Sequence, residues 1–153
     1  VNWDHYQDYL QLFSDPAAVE KYADGIPWTL DEIHERMNIW IDRWNNQDPF
    51  SAFAIYLKNA DNRSFVGHIV LGHSAFEGQS ELAFLFKPEF LPFGYAKEAV
   101  SAILYGYAPR LIRDQYFVNI GSEYCAAAPL NIVHATARVD NPYHDQALRK
   151  AGL

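Results

Sequence analysis

One cysteine, Cys125, stands among 153 residues. An internal disulfide is therefore excluded, and so is a thiolate metal cluster. No stretch approaches the roughly 20 apolar residues that cross a bilayer, and no secretory apolar region opens the chain. These absences point to a reducing cytoplasm and away from a membrane. The chain opens on Val1 and not on Met, so further residues are expected upstream. Positive charge is also scarce: 12 Lys and Arg against 19 Asp and Glu leave a formal charge of -7. That balance argues against a broad phosphate-binding face, and so against nucleic acid as a partner. His5, His34, His68, His73 and His134 show no zinc-like spacing, so no metal is expected. Walker and nucleophile-elbow motifs are missing too.

What is present reads as a single folded domain, half of it apolar or aromatic. The N-terminal third is helical in pattern. "DHYQDYLQLF" has apolar residues at helical spacing, and Ser14-Asp15-Pro16 breaks and restarts it. "GIP" at 25–27 is a turn. Thr29 with Glu32 forms a capping-box pattern ahead of a stripe of Leu30, Ile33, Met37, Trp40, Ile41 and Trp44. The middle reads as strands. "SAFAIYLK" places Phe53, Ile55 and Leu57 on one face, "NADNR" is a turn cluster, and "SFVGHIVLGHS" and "SELAFLF" flank a hairpin loop at "AFEGQ". A helix over about 94–108 follows, with Pro109 expected to stop it. Residues 110–129 read as an extra helix and a loop. "NIVHATARV", 131–139, reads as a strong strand, and "NPYHDQALRKAGL" as a turn and a last short helix. The predicted class is α/β (α+β), with helices covering a mixed sheet.

The junction "FLPFGYAKEAV", 90–100, carries the chemical signal. A strand that enters a helix through a glycine turn exposes the first helical N–H groups, which have no internal partner and partial positive charge. A phosphate or pyrophosphate fits such a site. A plain strand-to-helix connection would use the same residues, and spacing alone favours it.

"SELAFLFKPEFLPFGYAKEAVSAILYGYA" resembles the acetyl-CoA-binding core of the GNAT N-acetyltransferases, specifically the ribosomal-protein alanine acetyltransferase branch. Pro88, Gly94, Tyr95, Ala96, Glu98 and Ala99 match that branch's pattern. "HATARVDNPYHDQALRKAGL" is similar to its later strand and helix, through Asn141, Leu148, Lys150 and Gly152. Gly67 and "DPAAVEKY" also sit where the branch has comparable residues. Leu91, Pro92, Phe93 and His144 depart from the pattern, and Pro92 removes one N–H from a phosphate cradle. The resemblance implies a GNAT-like, mostly antiparallel mixed sheet flanked by helices. The first and last strands of the family would be missing from this chain.

The resemblance also implies the site. Acetyl-CoA would lie where the strand 81–86 splays from the strand 131–139. Its pantetheine would pair with main-chain groups of Phe84, Leu85 and Phe86, and its pyrophosphate with N–H groups of Phe93, Gly94, Tyr95, Ala96 and Lys97. Lys97 would add charge, or stand solvated in the first helical turn. Asn141 would hydrogen-bond pantetheine, or form only an Asx-turn before Pro142. An N–H near Phe84 would act as oxyanion donor. Glu81 is the candidate base for the amine acceptor, or only a solvated carboxylate at a strand end. Many family members place a tyrosine acid on the last helix, where Leu148 stands here, which leaves His144 or Tyr143 as the nearest proton donor, unless His144 is only an N-terminal helix residue facing solvent. Trp28 is the candidate acceptor-pocket residue, whereas Trp40 and Trp44 belong to the core stripe.

Two functional classes remain open on the sequence. One is an acetyl-CoA-dependent N-acetyltransferase acting on a protein N-terminus or a small amine. The other is a non-catalytic sensing or interaction module of the same fold, which Leu91, Pro92 and the missing strands would favour. A homodimer is compatible with either.

Overall fold

The computed structural model of the chain describes residues 1–58, 63–120 and 122–153. Most of the turn predicted at "NADNR" therefore lies outside the described residues. A short 3-10 turn at Trp3–His5 leads into α1 (Tyr6–Ser14), followed by α2 (Pro16–Val19) and α3 (Leu30–Asn45). Three strands follow: β1 (Ala52–Tyr56), β2 (Phe65–His73) and β3 (Gln79–Phe86). Then come a 3-10 turn at Pro88–Phe93, α4 (Tyr95–Ala102), a π turn at Ile103–Tyr107 and α5 (Ala108–Arg113). The remaining elements are β4 (Phe117–Val118), β5 (Ala128–Pro129), β6 (Ile132–His134) and α6 (Pro142–Ala151).

Local chemistry explains the helix ends. Asp15 accepts the Ala17 N–H at 2.9 Å, with Pro16 in the first position of α2. The capping box forms as the sequence predicts: Thr29 Oγ1 accepts the Glu32 N–H at 3.3 Å, and Glu32 Oε2 accepts the Thr29 N–H at 2.7 Å. Ile33, Met37, Trp40 and Ile41 are then buried on one face of α3, while Leu30, in the first turn, is 60% exposed.

The sheet order is β1-β2-β3-β6, antiparallel except for the β3–β6 pair. Each face carries its own apolar cluster. Tyr9, Phe13, Met37 and Trp40 from α1 and α3 cover one face, and Val100, Ile103, Leu111 and Leu148 belong to the other. Being covered on both sides, β3 reads as the near-continuous apolar run "LAFLF". Gly67 pairs with Phe86, and a Cβ there would lie 2.6 Å from the Leu85 carbonyl oxygen and 2.8 Å from the Phe86 ring. Only glycine lets the Phe86 ring lie across β2 at this point.

Three expectations are corrected. Pro109 does not stop the long helix: α4, the π turn and α5 run on through it, with Pro109 near the start of α5. A proline ring clashes with the carbonyl four residues back, and the wider π turn ahead of it relieves that clash. Within residues 110–129 the helix is only the end of α5, to Arg113, and the expected loop contains β4 and β5, which pair as a small antiparallel ladder. The strand expected over 131–139 pairs only at Ile132–His134.

Candidate functional site

The short β6 creates the site. It pairs with β3 in parallel through Gln79, Ser80 and Glu81, opposite Ile132, Val133 and His134, and the ladder ends there. From Leu82 onward β3 continues without a strand on that side, so main-chain donors and acceptors of its last residues face an open gap. A cavity of about 550 Å³ occupies the gap, with Phe84, Leu85 and Phe86 along one wall. That volume suits a small-molecule site.

The 3-10 turn and α4 close one end, where Leu91, Pro92, Gly94, Ala96 and Lys97 line the cavity. Gly94 has φ +79°, which turns the chain into α4, and the space where its Cβ would lie is open. No side chain caps α4, and its first backbone bond runs from the Glu98 N–H to the Gly94 carbonyl. The N–H groups of Tyr95, Ala96 and Lys97 accordingly have no acceptor within the helix. The N–H that Pro92 lacks belongs to the preceding turn and not to this helix start. Lys21, Lys97 and Lys150 line the same cavity against one carboxylate, Glu20. In a chain of charge -7, that is a local excess of cations beside a helix N-terminus.

Helix α6 forms the opposite wall. Asn141 Oδ1 accepts the His144 N–H at 3.1 Å, and its amide donates to the Lys21 carbonyl at 3.0 Å. Its side chain thus both caps α6 and ties it to the loop after α2. His144 is buried, with its ring centroid 4.0 Å from that of Phe84. Burial holds the His144 imidazole below its ordinary pKa, so it is neutral near pH 7. Tyr143 lines the cavity from an exposed position.

A second cavity of about 340 Å³ adjoins the first. Glu81, Ala83, Thr136, Ala137 and Arg138 line it, and Lys21, Tyr22 and His144 border both cavities. Thr136 Oγ1 donates to Glu81 Oε1 at 3.0 Å, which fixes the carboxylate at the point where the strands part. Arg138 donates to Asp140 and, at 3.2 Å, to the Ala23 carbonyl, closing one side.

The structure thus brings together Glu81, Phe84, Leu85, Phe86, Gly94, Ala96, Lys97, Asn141, Tyr143 and His144 around two joined cavities. It does not place Phe93, Tyr95 or Trp28 in either lining. Phe93 is 66% exposed and stacks on Tyr95, with centroids 5.8 Å apart. Trp28 stacks on Phe13 at 4.2 Å, with the Arg36 guanidinium over it. Lys21 and Tyr22, the last residues of "DPAAVEKY", have no site role in the sequence, because a loop after a four-residue helix has no periodicity to read. His73 is already committed: its Nδ1 accepts the Asn119 N–H at 2.8 Å, and its Nε2 donates to Asp48 at 2.8 Å.

The chain matches the family model of the acetyltransferase (GNAT) domain over residues 1–153. Comparison with curated proteins gives no match. Among solved structures, a GNAT-family acetyltransferase from Bacillus anthracis is similar with a TM-score of 0.70 at 20% identity, covering 99% of this chain and 75% of that one. The ribosomal L7/L12 alpha-N-protein acetyltransferase RimL, in complex with coenzyme A, gives 0.70 at 13% identity, covering 99% and 76%. A spermidine N-acetyltransferase from Vibrio cholerae gives 0.58 at 13% identity, with the same coverage of 99% and 76%. At these identities the likeness is one of fold.

Proposed function

The chain belongs to the GNAT acetyltransferase family, and on that premise we propose that it moves an acetyl group from acetyl-CoA to a primary amine by direct transfer. The observation that carries this reading is the gap beyond Glu81, with the uncapped start of α4 and three lysines at one end and a second cavity at the other. The chemistry fits an extended ligand with an anionic end and an amide-bearing arm. The N–H groups of Tyr95, Ala96 and Lys97 hold a pyrophosphate, with Lys97 and Lys150 adding charge. Main-chain groups of Phe84 to Phe86 pair with the pantetheine amides as an added strand.

The thioester then lies near Phe84, where the two cavities meet. A main-chain N–H of this segment polarises its carbonyl. The acceptor enters through the second cavity, and Glu81 takes the proton its ammonium must lose before attack. His144, neutral and buried against Phe84, shields the reacting centre from water and orients this wall. Neighbours of this fold act on a protein N-terminus and on spermidine, so the acceptor here is a protein N-terminus or a small amine. Amine-dependent release of free thiol from acetyl-CoA tests the proposal, with N-terminal peptides and small amines screened in parallel. Saturable release with at least one amine supports it. Acetyl-CoA binding with no transfer to any amine would favour a non-catalytic sensing module.

A further inference from the structure

We propose that Tyr22 is the proton donor to the departing thiolate, a role taken by a residue of the N-terminal helical arm. The inference rests on the transferase reading above. It starts from the overlap of the two cavities. A donor to the leaving sulfur must reach the place where the two ligands meet, and only Lys21, Tyr22 and His144 line both spaces among the described residues. Lys21 is a cation, which stabilises a thiolate as the anion. His144 presents its Nε2 inward, buried and without a partner. Tyr143 lines the larger cavity alone, and the Thr136 hydroxyl is bound to Glu81. On α6 itself, Leu148 is apolar and buried.

Tyr22 is held for the task. Its ring packs edge-on against Phe13 at 5.9 Å and lies 6.4 Å from Trp28, which fixes its direction from the loop after α2. Its hydroxyl makes no hydrogen bond among the described residues. The buried polar atoms without partners there are all histidine nitrogens, so the Tyr22 hydroxyl keeps accessible surface, on a residue that lines both cavities. Burial raises the phenol to about 12, so it is protonated at neutral pH when the carbon–sulfur bond breaks beside it. Arg36 lowers it and Glu81 raises it, and these are the charged groups that act on it.

The step balances without another reagent. The acceptor nitrogen bonds to the thioester carbon, the carbon–sulfur bond breaks, and its electron pair leaves on sulfur. The Tyr22 proton passes to that sulfur. The phenolate regains a proton from the acylated nitrogen, which sheds one to become an amide. The products are the amide and the free thiol of CoA.

The test is steady-state acetyl transfer by the wild-type chain, by Tyr22→Phe, and by a variant carrying a ring-fluorinated tyrosine at position 22. Phe keeps the packing on Phe13 and Trp28, so the variant folds and binds acetyl-CoA as the wild type does. Its kcat falls about a hundredfold, within the usual range for losing a general acid. The fluorinated tyrosine restores most of the rate because it still carries an acidic hydroxyl. Tyr22→Phe at the wild-type rate would overturn the assignment. Equal losses in both variants would overturn it too, because the fluorinated residue keeps the hydroxyl and would then show that the hydroxyl does not carry the rate. A wild-type chain that binds acetyl-CoA and acetylates no amine would bring down the transferase reading, and this inference with it.

Discussion

Glu81 and His134 form the last rung of the parallel ladder between β3 and β6. Everything assigned to the site follows from the parting of the strands beyond that rung. Glu81 sits at the fork, its carboxylate held by Thr136 and turned to the smaller cavity, while the larger one runs along Phe84 to Phe86.

Replacing Glu81 with Gln keeps the size and the hydrogen bond from Thr136 but removes the base. The expected result is a fall in kcat of roughly a hundredfold, the scale of general-base catalysis. Acetyl-CoA affinity stays within about twofold, since the cofactor cavity is not lined by Glu81. Parallel rate and binding measurements check this, and an unchanged kcat would remove Glu81 from the mechanism.

His68 gives a pH-dependent stability. It is fully buried, its Nδ1 is 2.9 Å from the Tyr9 hydroxyl, and its Nε2 has no partner. Burial lowers its pKa from 6.5 to about 3. The folded state thus binds fewer protons than the unfolded chain between these values. Stability from this group is complete above pH 6.5 and is lost progressively as pH falls toward 3. Between pH 7 and pH 5 the loss is about 2 kcal/mol. Urea unfolding at the two pH values measures it, and a His68→Leu, Tyr9→Phe double variant loses this part of the acid sensitivity.

The capping box of α3 offers a second stability test. Thr29→Ala removes the acceptor for the Glu32 N–H and is expected to cost about 1 kcal/mol. Neither Thr29 nor Glu32 lines a cavity, so acetyl-CoA affinity stays unchanged. A binding defect in this variant would mean that α3 couples to the site.

Signals local in sequence were the legible ones. Thr29, Glu32 and the buried stripe of Ile33, Met37, Trp40 and Ile41 specify α3 within a few turns. The apolar run before Pro88 and the glycine at position 94 likewise mark β3 and the start of α4. Features that depend on distant partners were not legible. Pro109 is tolerated because the π turn ahead of it shifts the hydrogen-bond register, a change that its neighbours do not announce. The β4–β5 ladder joins two residues from each side across a long connection, too few for a pattern of alternation. The segment after His134 keeps the composition of a strand, yet it leaves the sheet where the cleft opens. Lys21 and Tyr22 belong to the site only because α2 and its loop fold against α6, through the Asn141 bond to the Lys21 carbonyl.

The central claim is that an anionic, thioester-bearing ligand docks at the start of α4. The most direct test is calorimetric titration of acetyl-CoA into the wild-type chain and into Lys97→Glu. Lys97 is exposed, and a carboxylate in the first turn suits the helix dipole, so the variant remains folded. The account predicts saturable one-site binding to the wild type, weakened about tenfold or more by Lys97→Glu. Absence of saturable binding to the folded wild-type chain, or equal affinity in both, would contradict it.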